Sequence, residues 1–197
     1  MTTTESPVRT VDGVELPAPG TWTIDPGHAE VGFVGRHLKF TKVRGRFTGV
    51  QGTVTVAEDP AASQLQVVID MASVSSGDQT RDDHLRSPDF FDVGRHPTAT
   101  FTSTGVRWAG TCGTMDGDLT IVGVTRPVTL DVEFSGYARD PWGQDRAVFS
   151  ASAQLNREDW GLTWNMALEA GGLLVSKDIR LEVEVETVRQ PAGNPPA

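Results

Sequence analysis

The segment IRLEVEVETV (179–188) alternates without a break from Ile179 to Glu186. Ile179, Leu181, Val183 and Val185 fall on one face, and Arg180, Glu182, Glu184 and Glu186 on the other. A period of two with one dry and one wet side is the pattern of an antiparallel strand whose sheet has a single solvated face. The pattern recurs along the chain. Leu65, Val67 and Ile69 oppose Gln64, Gln66 and Asp70, and Val128, Leu130, Val132 and Phe134 oppose Thr129, Asp131 and Glu133. Phe149, Ala151, Ala153 and Leu155 share a further face, and Val31 and Phe33 a shorter one. Eight main strands are predicted, near 29–38, 43–57, 64–72, 97–108, 112–123, 126–138, 145–156 and 173–188, most of them joined by short links carrying Gly, Asp or Pro. Eight long strands with one apolar face leave two exposed sheet edges unless the sheet closes. The expected fold is therefore all-β, an extended eight-stranded antiparallel up-and-down barrel.

Such a barrel either fills its interior with side chains or leaves room for one ligand. Strand parity points Phe33, Phe47, Val54, Leu65, Val67 and Ile69 inward, together with Phe101, Leu119, Ile121 and Phe149. These ten are the candidate lumen residues. Gly35, Gly45, Ala99, Gly123, Ala151 and Ala153 on the same inferred faces give up volume, which leans toward a cavity. A solid core, with the barrel serving as a protein-interaction module, is the alternative.

One stretch, TRDDHLRSPDFFDVGRHP (80–97), breaks the alternation. Thr80 followed by Asp83 resembles a capping box, and Ser87-Pro88 is a second helix-start signal. Two short helical turns in series are expected across 80–92, within a helical insertion around 78–92. Its acids then serve as helix-start residues, favoured by the helix dipole. His84 and His96 are twelve apart with a proline between, a spacing unlike that of a zinc site. No metal, cofactor or catalytic residue is assigned. Leu85, Phe90 and Phe91 are expected to pack inward as a lid. Trp160 and Trp164, beside the turn-like NRED, are expected at a barrel mouth with their indole N–H groups toward water. Arg157 is a candidate head-group contact, with a surface salt bridge to Glu158 or Asp159 as the alternative. His37 is a second candidate contact, against a satisfied structural histidine.

Seventeen basic and 26 acidic residues give a net charge of −9, which removes the electrostatic footprint of a nucleic-acid binder and predicts repulsion from anionic membranes. Cys112 is the single cysteine, so no internal disulfide or thiolate cluster can form. No apolar run matches a signal peptide or an integral membrane segment, so a cytoplasmic protein is expected. Residues 1–20 read as an extended arm, 21–189 as the barrel domain and 190–197 as a disordered tail. The charged outer strand faces disfavour a large permanent interface and leave a modest homodimer open.

The pieces WTIDPGHAEVGF (22–33), GRFTGVQGTV (45–54), DDHLRSPDFFDVGRHPTATFTST (82–104), GDLTIVGVTRPVTL (117–130) and LNREDWGLTWN (155–165) occur in an order that resembles the YceI-like, polyisoprenoid-binding family. The resemblance covers about residues 20–188. It implies a lipocalin-like barrel with a helical element and an elongated lumen that takes a long isoprenoid chain, such as a polyprenyl phosphate or a quinone-type lipid, for carriage, storage or stress response. No G-x-S-x-G, P-loop or H-E-x-x-H motif supports an enzyme, and a hydrolase-like site of unrecognised form is the lesser alternative.

Overall fold

A computed structural model describes residues 6–167 and 174–191. Long strands dominate: β3 (Gly20–His37), β4 (Thr41–Phe47), β5 (Val50–Val56), β6 (Gln64–Asp70), β8 (Thr98–Ala109), β9 (Cys112–Ile121), β10 (Val124–Arg139), β11 (Asp145–Asn156) and β12 (Asp178–Arg189). Antiparallel pairing runs β3-β5-β6-β8-β9-β10-β11-β12 and returns to β3, closing an eight-stranded barrel. Closure sets Leu181 beside Phe33 and Val183 beside Val31, so the dry faces of the first and last strands meet and no edge is left there.

Three details depart from the predicted strands. The expected single strand 43–57 breaks at Thr48-Gly49. There Gly49 carbonyl accepts from Asp70 N–H (2.7 Å) and Thr48 N–H donates to Ser73 Oγ (3.2 Å). β4 therefore turns away to pair with the short β7 (Val74–Ser75), while β5 pairs with β6. A Cβ at Gly49 would lie 2.8 Å from Asp70 Cβ, so the bend requires glycine. Second, the expected extended arm is in part ordered. Val8–Val11 (β1) and Val14–Pro17 (β2) form a hairpin about Asp12-Gly13, both left-handed, and Leu16 is buried against Trp22, Phe134 and Ala147. The D-G pair between valines is a type I′ hairpin signal that outweighs the flanking prolines. Residues 1–5 and most of the expected tail (192–197) lie outside the described residues.

Third, β3 begins nine residues before the expected strand because it carries a wide bulge. Val185 pairs with Ala29 and Thr187 with Ile24, so Asp25-Pro26-Gly27-His28 stand outside the ladder. Asp25 gathers this loop, accepting from Gly27 N–H (3.0 Å), His28 Nδ1 (2.9 Å) and Arg146 Nη1 (2.6 Å). Asp25, His28 and Glu186 are the one group among the described residues whose donor atoms converge as metal ligands would. A guanidinium already serves their acids, because Arg146 also reaches Glu186 (3.2 Å) and Asp140 (2.8 Å).

Hydrogen bonding from Arg146, then from His28, holds the Asp25 carboxyl at about 2. A lowered folded-state value means stability that is full above the unfolded carboxylate range, near pH 4, and fades as pH falls toward 2. With solvent screening this amounts to about 1–2 kcal/mol. Acid titration of thermal stability should show this loss, and Arg146→Gln should flatten it; an unchanged slope in the variant would contradict the network's role.

Candidate functional site

Inside the barrel lie two cavities, of about 510 and 160 Å3. They share Val31, Ile69, Leu119 and Leu181 as a common wall. The wide one falls in the ~300–1,000 Å3 range of small-molecule sites and the narrow one below it, so the interior is not a solid core. A larger hollow of about 940 Å3 lies on the outer face over β3, β10, β11 and β12. It is an open saddle walled by charges, several already paired, such as Arg46 with Glu30 (3.0 Å) and Arg180 with Glu182 (3.1 Å). Only the interior excludes water.

All ten residues assigned inward by parity line these cavities. Val54, Leu65, Val67, Phe101 and Phe149 border the narrow one; Phe33, Phe47 and Ile121 border the wide one; Ile69 and Leu119 border both. Parity works because one face of each strand is buried, and a one-residue slip would turn every apolar side chain outward. The volume argument from small residues fares less well. Gly45 leaves no space, since the Phe33 ring lies over it and a Cβ there would sit 2.2 Å from Phe33 Cζ. Gly123 is not on the wall at all: with Val122 it forms the left-handed turn between β9 and β10.

At the narrow end the β1–β2 hairpin contributes Leu16 and Pro17 to the lining. At the wide end stands α1 (Gln79–Arg86), followed by a turn rather than a second helix. The cap is Asp78, whose side chain accepts from Arg81 N–H (2.9 Å), instead of Thr80. Ser87 ends α1 by donating to His84 carbonyl (2.7 Å). The carboxylates of the stretch are engaged locally. Asp82 is buried and accepts from Ser76 N–H (2.7 Å), Asp83 meets Arg86 (3.3 Å), Asp89 meets His84 Nε2 (2.9 Å), and Asp92 meets Arg95 (3.4 Å).

Leu85, Phe90, Phe91, Trp160 and Trp164 all border the wide cavity. Phe91 stands edge-on to Phe47 (5.5 Å between centroids), and Phe47 lies 5.7 Å from Phe33, so aromatic contact runs from the turn after α1 to the barrel wall. His84, Phe90 and Trp164 form a second cluster, the His84 and Trp164 rings meeting edge-on at 4.5 Å. Trp160 departs from its expected place at a wet rim. It is 3 % exposed, and its indole N–H donates to Leu119 carbonyl (3.0 Å), tying the 3-10 turn Arg157–Trp160 to β9.

Arg157 also differs from the surface salt bridge held as its alternative. It is 6 % exposed, while Glu158 pairs with Lys177 (2.8 Å). Its Nε donates to Ser176 carbonyl (3.0 Å) and its Nη1 to Leu162 carbonyl. Nη2 is buried with no hydrogen-bond partner among the described residues, and Arg157 borders the wide cavity. Burial lowers its hold on the proton, with Glu158 acting the other way, yet a guanidinium stays charged. His37 borders the same cavity, bridged through its backbone to Val175. Sequence reasoning missed Arg36, Arg81 and His84 as further members of this lining, which among the described residues contains no carboxylate although the chain is acidic. Their strand and helix positions carry no signal of a shared cavity.

No helix among the described residues is long and apolar enough to cross a membrane. Among solved structures, the Campylobacter jejuni YCEI protein is similar, with a TM-score of 0.67 and 32% identity, covering 79% of this chain and 90% of that one. A polyisoprenoid binding domain from Saccharophagus degradans shares the fold, with a TM-score of 0.60 at 17% identity over 88% of this chain and all of that one. Protein YceI of Escherichia coli is 40% identical over 164 residues, 83% of each chain. The model of the YceI-like domain matches residues 22–187, which is the closed barrel together with α1, and the chain belongs to that family.

Proposed function

We propose that the barrel binds a long-chain isoprenoid lipid without covalent chemistry, its tail along the apolar lumen and its polar head beside Arg157 and His37. The observation that carries this reading is the pairing of an enclosed apolar interior with a buried guanidinium whose Nη2 has no partner among the described residues. An apolar tail gains about 25 cal/mol per Å2 of surface withdrawn from water, so affinity needs few polar contacts. A buried donor left unpaired is costly, and a phosphate or quinone oxygen would satisfy it. Support for the isoprenoid class comes from the Saccharophagus degradans relative, which is described as a polyisoprenoid binding domain. Carriage or storage, rather than catalysis, suits a wide cavity whose ionisable lining is Arg36, Arg81, Arg157, His37 and His84. Among the described residues that set offers no carboxylate or thiol nucleophile, and its two histidines are the groups left to act as bases. Native mass spectrometry of purified protein, with organic extraction, tests the reading. A bound polyprenyl phosphate or quinone-type lipid is expected. A homogeneous ligand-free species that also refuses both lipids when they are added would overturn it.

A further inference from the structure

The wide end of the barrel carries a surface that the lumen does not explain. Between Arg36 and Arg46 the sequence RHLKFTKVRGR holds five of the chain's 17 basic residues and no acid. All five, Arg36, Lys39, Lys42, Arg44 and Arg46, are exposed, and only Arg46 has a carboxylate partner among the described residues, Glu30. At the tip of this β3–β4 hairpin, Phe40 is 83% and Leu38 41% exposed. Met166, 56% exposed, lies alongside, since Leu38 N–H donates to Leu174 carbonyl and Leu174 N–H to Met166 carbonyl. Three of the five large apolar residues exposed among the described residues thus gather at this mouth.

The turn itself is costly. Leu38 and Lys39 both have positive φ (53° and 67°), whereas the turns at Asp12-Gly13 and Val122-Gly123 place glycine second. Two side-chain-bearing residues occupy positions where glycine would relieve strain. Thr41 and Arg36 at the base of the hairpin also border the wide cavity, so the tip stands at the lumen's entrance.

Apolar and aromatic tips flanked by lysine and arginine suit one surface chemistry, an anionic bilayer: the ring enters the headgroup region while the cations stay with lipid phosphates. The net charge of −9 does not prevent this. Charges more than about 8 Å away are screened at physiological salt, so the tip presents its own cations to the surface.

We propose that the β3–β4 hairpin docks the wide end of the barrel onto an anionic lipid bilayer through Leu38 and Phe40, with Lys39, Lys42 and Arg44 meeting its headgroups. This places the lumen entrance against the membrane, where an apolar chain can pass without crossing water. The docking step stands on the hairpin alone; its use for lipid transfer rests on the lumen reading above.

Flotation of the full chain with vesicles tests the docking. Binding is expected to phosphatidylcholine vesicles containing one third phosphatidylglycerol, to fall at high salt, and to be weak on phosphatidylcholine alone. Each surface cation contributes about five-fold, so Lys39→Glu with Lys42→Glu should weaken binding about 25-fold or more. Phe40→Ser should cost about ten-fold. Trp142, 81% exposed on the β10–β11 loop at the opposite end, serves as the control, and Trp142→Ser should change nothing. All four sites are exposed, so melting temperatures should hold. A wild-type chain that ignores anionic vesicles would overturn the proposal in favour of an acidic protein partner, and so would double-glutamate protein that binds as well as wild type. Ile121→Asp separates the two readings: it should still float with vesicles even where its lumen takes up no lipid.

Discussion

Ile121→Asp is expected to abolish uptake of polyprenyl lipid while the barrel remains folded. Ile121 ends β9, is half-buried and borders the wide cavity, so a carboxylate there would stay hydrated in the empty barrel. Seating an apolar tail would strip that water from a charge, at about 3 kcal/mol or more, which is over a hundred-fold in Kd. Uptake should return in part at low pH, because the protonated acid costs less to bury. Val68→Asp is the parity control. Val68 lies between the lumen residues Val67 and Ile69 but points outward at 45% exposure, and its substitution should leave uptake unchanged. Lipid extraction and quantification after loading both variants decides the matter. Equal uptake by Ile121→Asp and wild type would mean that the inner face does not hold the ligand.

Arg157→Met is expected to have two effects that come apart in measurement. Its guanidinium satisfies Ser176 and Leu162 carbonyls, and losing charged hydrogen bonds to both should lower stability by about 3 kcal/mol, read as a fall in melting temperature. The second effect concerns the ligand. Polyprenyl phosphate should lose about ten-fold or more in affinity, whereas the uncharged polyprenol, which has little to gain from a cation, should lose far less. Arg157→Lys retains the charge but not the fork, so it should recover part of the phosphate preference and little of the stability. If both lipids weaken equally, Arg157 acts only as a brace between the turn after β11 and the segment before β12.

The barrel was legible because its rule is local. Alternation in IRLEVEVETV and its counterparts sets which side of each strand is dry, and burial of one face forbids a slip of register. The same rule carried the ten lumen candidates to the cavity walls. Local signals were also present where they were passed over: V-D-G-V marks the first hairpin, and Asp78 stands three residues before Arg81, whose N–H it accepts.

What stayed hidden depends on contacts between distant parts of the chain. Arg157 has charged neighbours in sequence, so a surface salt bridge competes there with a head-group contact. Only folding against Leu162 and Ser176 removes it from water and leaves one arm unpaired. Trp160 likewise reads as a rim residue until β9 supplies Leu119 carbonyl, 41 positions away, for its indole N–H. Gly45 looks like spare volume until Phe33 lies across it. By itself the sequence determined the strand faces, the closed sheet and the apolar character of the interior, because a period of two is a property of one segment at a time. Tertiary structure alone decided that the interior is hollow, that its wide end is lined, among the described residues, by cations without acids, and that the basic hairpin stands at that entrance. Those properties are sums over residues from many strands, and no single segment encodes where its neighbours in space will be.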